Sequence, residues 1–350
     1  MYRGLLGAIL VNIMRISLIL FSILLFLPVA RSHGQTAMMD AYLSSVMVHG
    51  YKANGGLAYG SGVVVDHNQV LTNCHTFRET AKAWVSRGDE SYRILSVKAD
   101  PWHDLCLLET DGLNVKPARI GKNDALTKSQ NVISIGHSSG VPIPLTSNGT
   151  IKALYHMDHG KVIRTNARFT LGASGSGLFD TEGNLIGINT FKTGGRDAYY
   201  YAVPIEWLKE LRTQHVETHL PVTGKAFWEE TDPIAIPYFL QIANPKLNEN
   251  WIELEKISSR WVEAESNNSD AWYEYGLANE MLGHLDRAEE AYRRSIELDD
   301  RNTDALFRTG LIAASKGDQH AAYAISMKLH QINKNLAAEY RKALDCLPNC

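Results

Sequence analysis

The sequence predicts a multidomain chain in which an all-β domain is followed by an all-α helical repeat domain. Three observations carry this. Residues 36–215 are a succession of short apolar runs rich in Val and Ile, broken by Gly, Asn, Asp and Pro, the pattern of a β-sandwich or barrel. Residues 246–350 change to helical periodicity, with small residues recurring 34 positions apart. Between them, residues 216–245 carry Pro221, Pro233 and Pro237 and no period, and read as a linker.

Composition narrows the function classes. Of 350 residues, 45% are hydrophobic and 21% charged, and the net charge is −3 with no basic run. That is an ordinary globular profile, and it argues against nucleic acid as a partner. At the N-terminus, Arg3 and Arg15 precede the uncharged apolar run Ile16–Leu27, which stops at Pro28-Val-Ala30. A positive start, an apolar middle and small residues beyond it read as a signal peptide over residues 1–34. The alternative is an uncleaved segment that ties the chain to a membrane. Either way the rest is expected to be exported, periplasmic or secreted. Thiols there tend to pair, and Cys346 and Cys350 at the C-terminus are one candidate pair.

The β runs come in order as Gly62-Val-Val-Val-Asp66, Gln69-Val-Leu-Thr72, Asp104-Leu-Cys-Leu-Leu108, Asn131-Val-Ile-Ser-Ile135, Lys161-Val-Ile-Arg164, Asn184-Leu-Ile-Gly-Ile-Asn189 and Tyr199-Tyr-Tyr-Ala-Val203. Pro204-Ile-Glu-Trp-Leu-Lys-Glu-Leu211 follows as a closing helix, with Pro near its first turn. Beyond the linker, residues 271–299 form two amphipathic helices about a Gly-containing turn, and residues 303–322 repeat the scheme. Trp272 matches Leu306, Gly276 matches Gly310, Gly283 matches Gly317 and Ala288 matches Ala322.

Three stretches can carry chemistry together. His75 follows the β run Val70-Leu-Thr-Asn-Cys74, Asp104 opens Asp104-Leu-Cys-Leu-Leu108, and Ser174 sits in Leu171-Gly-Ala-Ser-Gly-Ser-Gly-Leu178. A nucleophilic serine needs a base to take its proton and return it to the leaving amine. Histidine suits that task, and a carboxylate on the far ring nitrogen fixes its tautomer. Glycines beside the serine let a tight turn aim the N–H groups of Gly172 and Ser174 at one developing oxyanion. Taken singly, His103 or His137 is as eligible as His75, Asp100 competes with Asp104, and Ser176 neighbours Ser174. The loop His156-Met-Asp-His159 lacks a further ligand for a metal, so no metal and no cofactor is expected.

The stretch Gly60-Ser-Gly-Val-Val-Val through Val70-Leu-Thr-Asn-Cys-His75 resembles the histidine motif of trypsin/chymotrypsin-like serine peptidases, in particular their HtrA-like branch. Asp104–Leu108 resembles the aspartate motif, Asn131–His137 and Thr146–Leu154 the strands opening the second barrel, and Thr165–Leu178 the serine motif. Leu185-Ile-Gly-Ile-Asn-Thr190 resembles the strand lining the substrate cleft. The resemblance covers roughly residues 45 to 210. It implies two six-stranded β-barrels with a cleft between them and a serine endopeptidase with His75 as base, Asp104 as orienter and Ser174 as nucleophile. Gly172 and Ser174 would form the oxyanion hole, and Asn189 and Thr190 would meet substrate.

The departures are informative. Ala173 stands where the family has Asn or Asp, so activation by a newly cut N-terminus is not expected. Gly175-Ser-Gly177 replaces Gly-Gly-Pro, and helical repeats stand where the HtrA-like branch usually carries a peptide-binding PDZ domain. Arg168 falls where related digestive enzymes place the base of the specificity pocket; it would favour acidic side chains, unless it faces solvent or pairs internally. Cys74 and Cys106 flank the two strands that carry base and orienter, and can form a disulfide or remain two small buried thiols. Export favours the bond.

The 34-residue period resembles the tetratricopeptide (TPR) repeat, with Trp251–Ala264 as a degenerate earlier unit and residues 335–347 as a capping helix. Such a surface binds a protein partner or packs on its own catalytic domain. Two functions follow. One is an exported serine endopeptidase acting on proteins or peptides. The other is a catalytically weak or inactive protease-fold scaffold whose repeats bind a partner protein.

Overall fold

The computed structural model describes residues 33–193, 198–232 and 235–346. Residues 1–32 of the leader reading, and Cys350, lie outside these residues. The described chain opens with helix α1 (His33–Leu43) and enters the first barrel.

Barrel one comprises β1 (Ser45–Lys52), β2 (Leu57–Asp66), β3 (Gln69–Thr72), β4 (Thr80–Arg87), β5 (Glu90–Asp100) and β6 (Leu105–Thr110). The strands run in the order β5-β4-β1-β2-β3-β6, and β5 pairs with β6 to close the ring. After the two-residue strand β7 (Arg119–Ile120), barrel two is built from β8 (Asn131–Gly136), β9 (Leu145–Met157), β10 (Gly160–Thr165), β11 (Ser176–Asp180), β12 (Asn184–Lys192) and β13 (Tyr200–Pro204). Its order is β11-β8-β9-β10-β13-β12, closed by β11 against β12. The expected double β-barrel is therefore the observed one. Closure leaves no strand edges within either ring open to another chain.

The apolar runs are nearly continuous because both faces of these strands are buried. Side chains alternate across a strand, and here each face meets a different core. Val64, Val70, Cys106 and Leu108 fill barrel one. Their neighbours Val63, Val65, Leu71, Leu105 and Leu107 point out of it, into a cluster shared with Ile135, Phe179 and Ile188 of barrel two. Barrel two keeps its own interior of Val132, Ile151, Ile163, Leu178, Ile186 and Ala202.

After Pro204 the chain makes a 3-10 turn (Ile205–Trp207) and helix α2 (Leu208–Leu211). The following stretch is tied down along its length. Strand β14 (Val216–Glu217) pairs with β5, a 3-10 turn covers Phe227–Glu229, and α3 (Tyr238–Gln241) and α4 (Ala243–Leu247) lead into the helical domain. Aromatic rings hold it. Phe227 lies edge-on to Phe191 and Trp207, Phe239 stacks on Tyr155 at 4.9 Å, and Tyr238 stacks on Trp261 at 5.8 Å.

The helical domain contains α5 (Trp251–Ala264), α6 (Ser269–Met281), α7 (Leu285–Leu298), α8 (Thr303–Ser315), α9 (Gln319–Ile332) and α10 (Lys334–Cys346). The repeat is visible at the helix starts. Asn268 caps α6 and Asn302 caps α8, each side chain accepting backbone N–H bonds of the first turn. Gly276 and Gly310 are needed for space: a Cβ would meet the Tyr292 ring at 2.6 Å and the Tyr340 hydroxyl at 2.2 Å.

This domain packs on barrel two. Lys128 pairs with Asp304, and the Asn333 side chain donates to the carbonyl of Lys128. His156 of β9 meets Asp270 in the first turn of α6: its backbone N–H and Nδ1 lie 3.0 and 2.9 Å from Oδ2. Burial alone would lower the His156 pKa, but the hydrogen bond and charge of Asp270 outweigh it and raise the value. A raised folded-state pKa stabilises the fold below about pH 6.5, and the contribution disappears as pH rises through the raised value. His156→Gln is therefore expected to lower the thermal midpoint at about pH 5.5 and to leave it almost unchanged near pH 9. Equal losses by calorimetry at both pH values would contradict this.

Cys74 and Cys106 form a disulfide with Cα atoms 5.0 Å apart at a sequence separation of 32. It ties the turn after β3 to β6. Replacing both by Ala should cost roughly 3–4 kcal/mol on the chain-entropy account, read from denaturant midpoints under non-reducing conditions. A loss below about 1 kcal/mol would show that the bond adds little beyond packing.

Candidate active site

The two barrels bring three segments together: the turn after β3, the turn before β6 and the loop before β11. His75 lies in a 3-10 turn (Cys74–Phe77) directly after β3. Asp104 sits just ahead of β6 in left-handed backbone, φ +58°, a conformation uncommon outside glycine. Its own N–H donates to Pro101, and its carbonyl accepts from the Asn73 side chain at 2.8 Å. This turn aims the carboxylate back at the histidine.

The Asp104 carboxylate is fully buried. Oδ1 accepts the backbone N–H of His75 at 2.8 Å, and Oδ2 lies 2.6 Å from His75 Nδ1. A carboxylate only accepts, so the Nδ1 proton belongs to the imidazole and Nε2 is left with a free lone pair. The rival residues are engaged elsewhere. Asp100 pairs with His103 at 2.6 Å, and His103 Nε2 reaches Asp158 at 3.2 Å. Burial would lower the His103 pKa, but these two carboxylates raise it. His137 is buried, Nδ1 lies 2.9 Å from the Val141 carbonyl, and burial lowers its pKa.

The serine loop is a tight turn. Gly172 and Gly175 have φ of +92° and +85°. A Cβ on Gly175 would lie 2.1 Å from the Ser61 carbonyl, so no other residue fits without backbone movement. The N–H groups alternate in use. Ala173 donates to Thr170 and Gly175 to Asn189, whereas those of Gly172 and Ser174 have no acceptor among the described residues. Ser61 braces the loop, its hydroxyl donating to the Gly172 carbonyl at 2.8 Å while accepting the His137 N–H. Ser174 is partly exposed. Ser176 is wholly buried, and its hydroxyl accepts from Asn189 at 2.9 Å.

The remaining sequence candidates fall in different surroundings. The Asn189 amide is turned into barrel two, donating to Ser134, Ser176 and Gly177. Thr190 is buried, with its hydroxyl donating to Ile188 and accepting from Asn73. Arg168 is exposed and shares the lining of a cavity of about 400 Å³ with Lys128, Lys152 and Arg164. His156 and His159 both line a larger cleft of about 1040 Å³ between the β9–β10 hairpin and the helices, which contains neither His75 nor Ser174.

Trp228 is the residue that sequence reasoning missed. Its indole Nε1 donates to Asp104 Oδ2 at 3.1 Å. The ring meets His75 edge-on at 5.5 Å and stacks on Phe191 at 5.3 Å. Beside it Glu229 pairs with Arg78; burial would raise its pKa, but the arginine holds it below the usual carboxylate value. Two aromatics and two acids in Phe227-Trp-Glu-Glu230 were the one available signal within that Pro-bearing stretch.

Comparison with known proteins gives independent bearings. Residues 60–188 match the model of the trypsin-like peptidase domain, and residues 257–345 match that of the middle TPR-like domain of cilia and flagella-associated protein 70. The periplasmic serine endoprotease DegP of Escherichia coli K12 is 30% identical over 186 residues, covering 48% of this chain and 39% of that protein. A probable serine protease do-like of Buchnera aphidicola is 28% identical over 246 residues, covering 66% of this chain and 48% of the relative. Among solved structures, the serine endoprotease from Yersinia pestis aligns with a TM-score of 0.45 at 26% identity, covering 52% of this chain and 65% of that one. The chain thus spans well under two thirds of the length of these curated relatives. It carries a trypsin-like peptidase domain, followed by a TPR-like helical domain in the same polypeptide.

Proposed function

We propose that this chain is an exported serine endopeptidase that hydrolyses peptide bonds through an acyl-enzyme. The observation that carries the reading is the His75–Asp104 pair, joined by two hydrogen bonds with the imidazole proton on Nδ1. In the mechanism His75 Nε2 takes the Ser174 hydroxyl proton as Oγ bonds to the substrate carbonyl carbon. The carbonyl oxygen becomes an oxyanion and takes the free N–H groups of Gly172 and Ser174. Collapse breaks the C–N bond, and His75 returns its proton to the leaving amine. A water then enters by the same proton route and releases the acid. Asp104 stays ionised and stabilises the imidazolium. Neither cofactor nor metal enters the scheme.

Export is supported by the apolar run Ile16–Leu27 behind Arg15 and by the Cys74–Cys106 bond, which needs an oxidising compartment. The substrates are proteins or peptides. In this reading the TPR-like domain contributes a protein-binding face while its other side rests on barrel two.

The test is labelling of the full-length chain with a fluorophosphonate. Wild type should label at one site, and Ser174→Ala should abolish the label and cut peptide hydrolysis by roughly 10³-fold or more, whereas Ser176→Ala should keep the label. A label that survives Ser174→Ala removes the nucleophile assignment. No label on folded wild type would favour an inactive scaffold.

A further inference from the structure

We infer that Trp228, outside the matched peptidase segment, is a positioning residue for His75 and Asp104, and that its indole N–H completes the hydrogen-bond set of the buried carboxylate. The inference rests on the triad reading above.

Three donors converge on the Asp104 side chain: the His75 backbone at Oδ1, and His75 Nδ1 and Trp228 Nε1 at Oδ2. The first two come from the histidine itself. They travel with it, so they cannot fix the plane of the pair relative to the serine loop. Trp228 is the side-chain donor to this carboxylate that comes from elsewhere in the chain, 124 residues away. It contributes twice. Its N–H fixes Oδ2 from a second direction, and its ring closes one flank of the imidazole at 5.5 Å. A buried carboxylate with each donor in place costs less to keep ionised, and an imidazole with one flank covered has fewer rotamers to sample.

The segment that brings the indole is itself fastened. Phe191 of β12 stacks on Trp228, Glu229 pairs with Arg78 just past the histidine turn, and the Glu229 carboxylate also accepts the Ala226 N–H at 3.0 Å. The backbone N–H of Phe227 donates to the Trp102 carbonyl at 3.0 Å, two residues before Asp104. Both barrels therefore hold the strap that supplies the donor.

Trp228→Phe removes the N–H and keeps a ring against His75 and Phe191. In full-length protein the maximal rate of inactivation by fluorophosphonate should fall roughly tenfold, with the half-saturating concentration and thermal midpoint little changed. The downfield proton resonance of the His75–Asp104 bond should shift as well. A residue that only packs would move the midpoint and leave that rate and resonance alone. If Trp228→Phe does not fold, Glu229→Gln carries the test, because it loosens the strap and leaves the indole intact; slower inactivation is again expected. Inactivation at the wild-type rate in a folded variant overturns the inference while leaving the triad reading in place. Folded wild type that takes no label overturns both.

Discussion

One buried charge constrains the architecture around it. Asp104 has no solvent exposure, and an ionised carboxylate in that position is tolerated only when donors replace its water. Satisfying it needs a turn in left-handed backbone before β6, a histidine turn after β3 that offers both a main-chain and a ring N–H, and an indole from a distant segment. The Cys74–Cys106 bond joins the residue before the histidine to the second residue of β6. The hydrogen-bonding groups and the covalent link thus fasten the same two turns.

Around that centre the barrels act as a rigid frame. Strands such as Val63–Val65 and Leu105–Leu108 serve two cores at once, one inside a barrel and one between barrels. A shift of either barrel would therefore disturb packing on both faces of the strands that end at the site. The serine loop is fixed from the opposite barrel: Ser61 of β2 donates to the Gly172 carbonyl, and the Ser61 N–H donates to the Ser174 carbonyl at 2.7 Å. Loop and histidine turn are referenced to neighbouring strands of barrel one, β2 and β3. That is the rigid-scaffold, loop-borne arrangement by which proteins place reactive groups.

The all-β then all-α division was legible because its signals are local and periodic: four- to seven-residue Val- and Ile-rich runs, then a 34-residue recurrence that reappears in the starts of α6 and α8. The barrel closure came from resemblance rather than period, since alternation alone also suits a sandwich. Residue identity left open which carboxylate meets which imidazole. Asp100 and Asp104 are four apart, and His103 and His75 are equally ordinary in composition. What separates them is backbone: Asp100 ends β5 and reaches His103 three residues on, whereas Asp104 sits at positive φ and turns the other way. No propensity reports that turn. Asn189 shows the same limit from the other direction, because strand parity decides whether a polar side chain faces a cleft or a core, and a bulge next to it resets the parity.

The stretch between the domains is where reading from sequence ran out, and the reason is physical. Residues 226–232 and 235–239 have no period because five of their side chains reach neighbours on several different elements: Phe227 to Trp207 and Phe191, Trp228 to Asp104, Glu229 to Arg78, Tyr238 to Trp261 and Phe239 to Tyr155. Proline and irregular backbone are what a segment needs when it must present consecutive residues in unrelated directions. The consequence is mechanical. The peptide that donates to the Asp104 carboxylate also seats, ten residues later, a ring on helix α5 of the TPR-like domain. Phe227, Phe239 and Trp261 belong to one apolar cluster, and both Trp228 and Tyr238 pack against it, so the indole beside Asp104 and the first long helix of the TPR-like domain share a core.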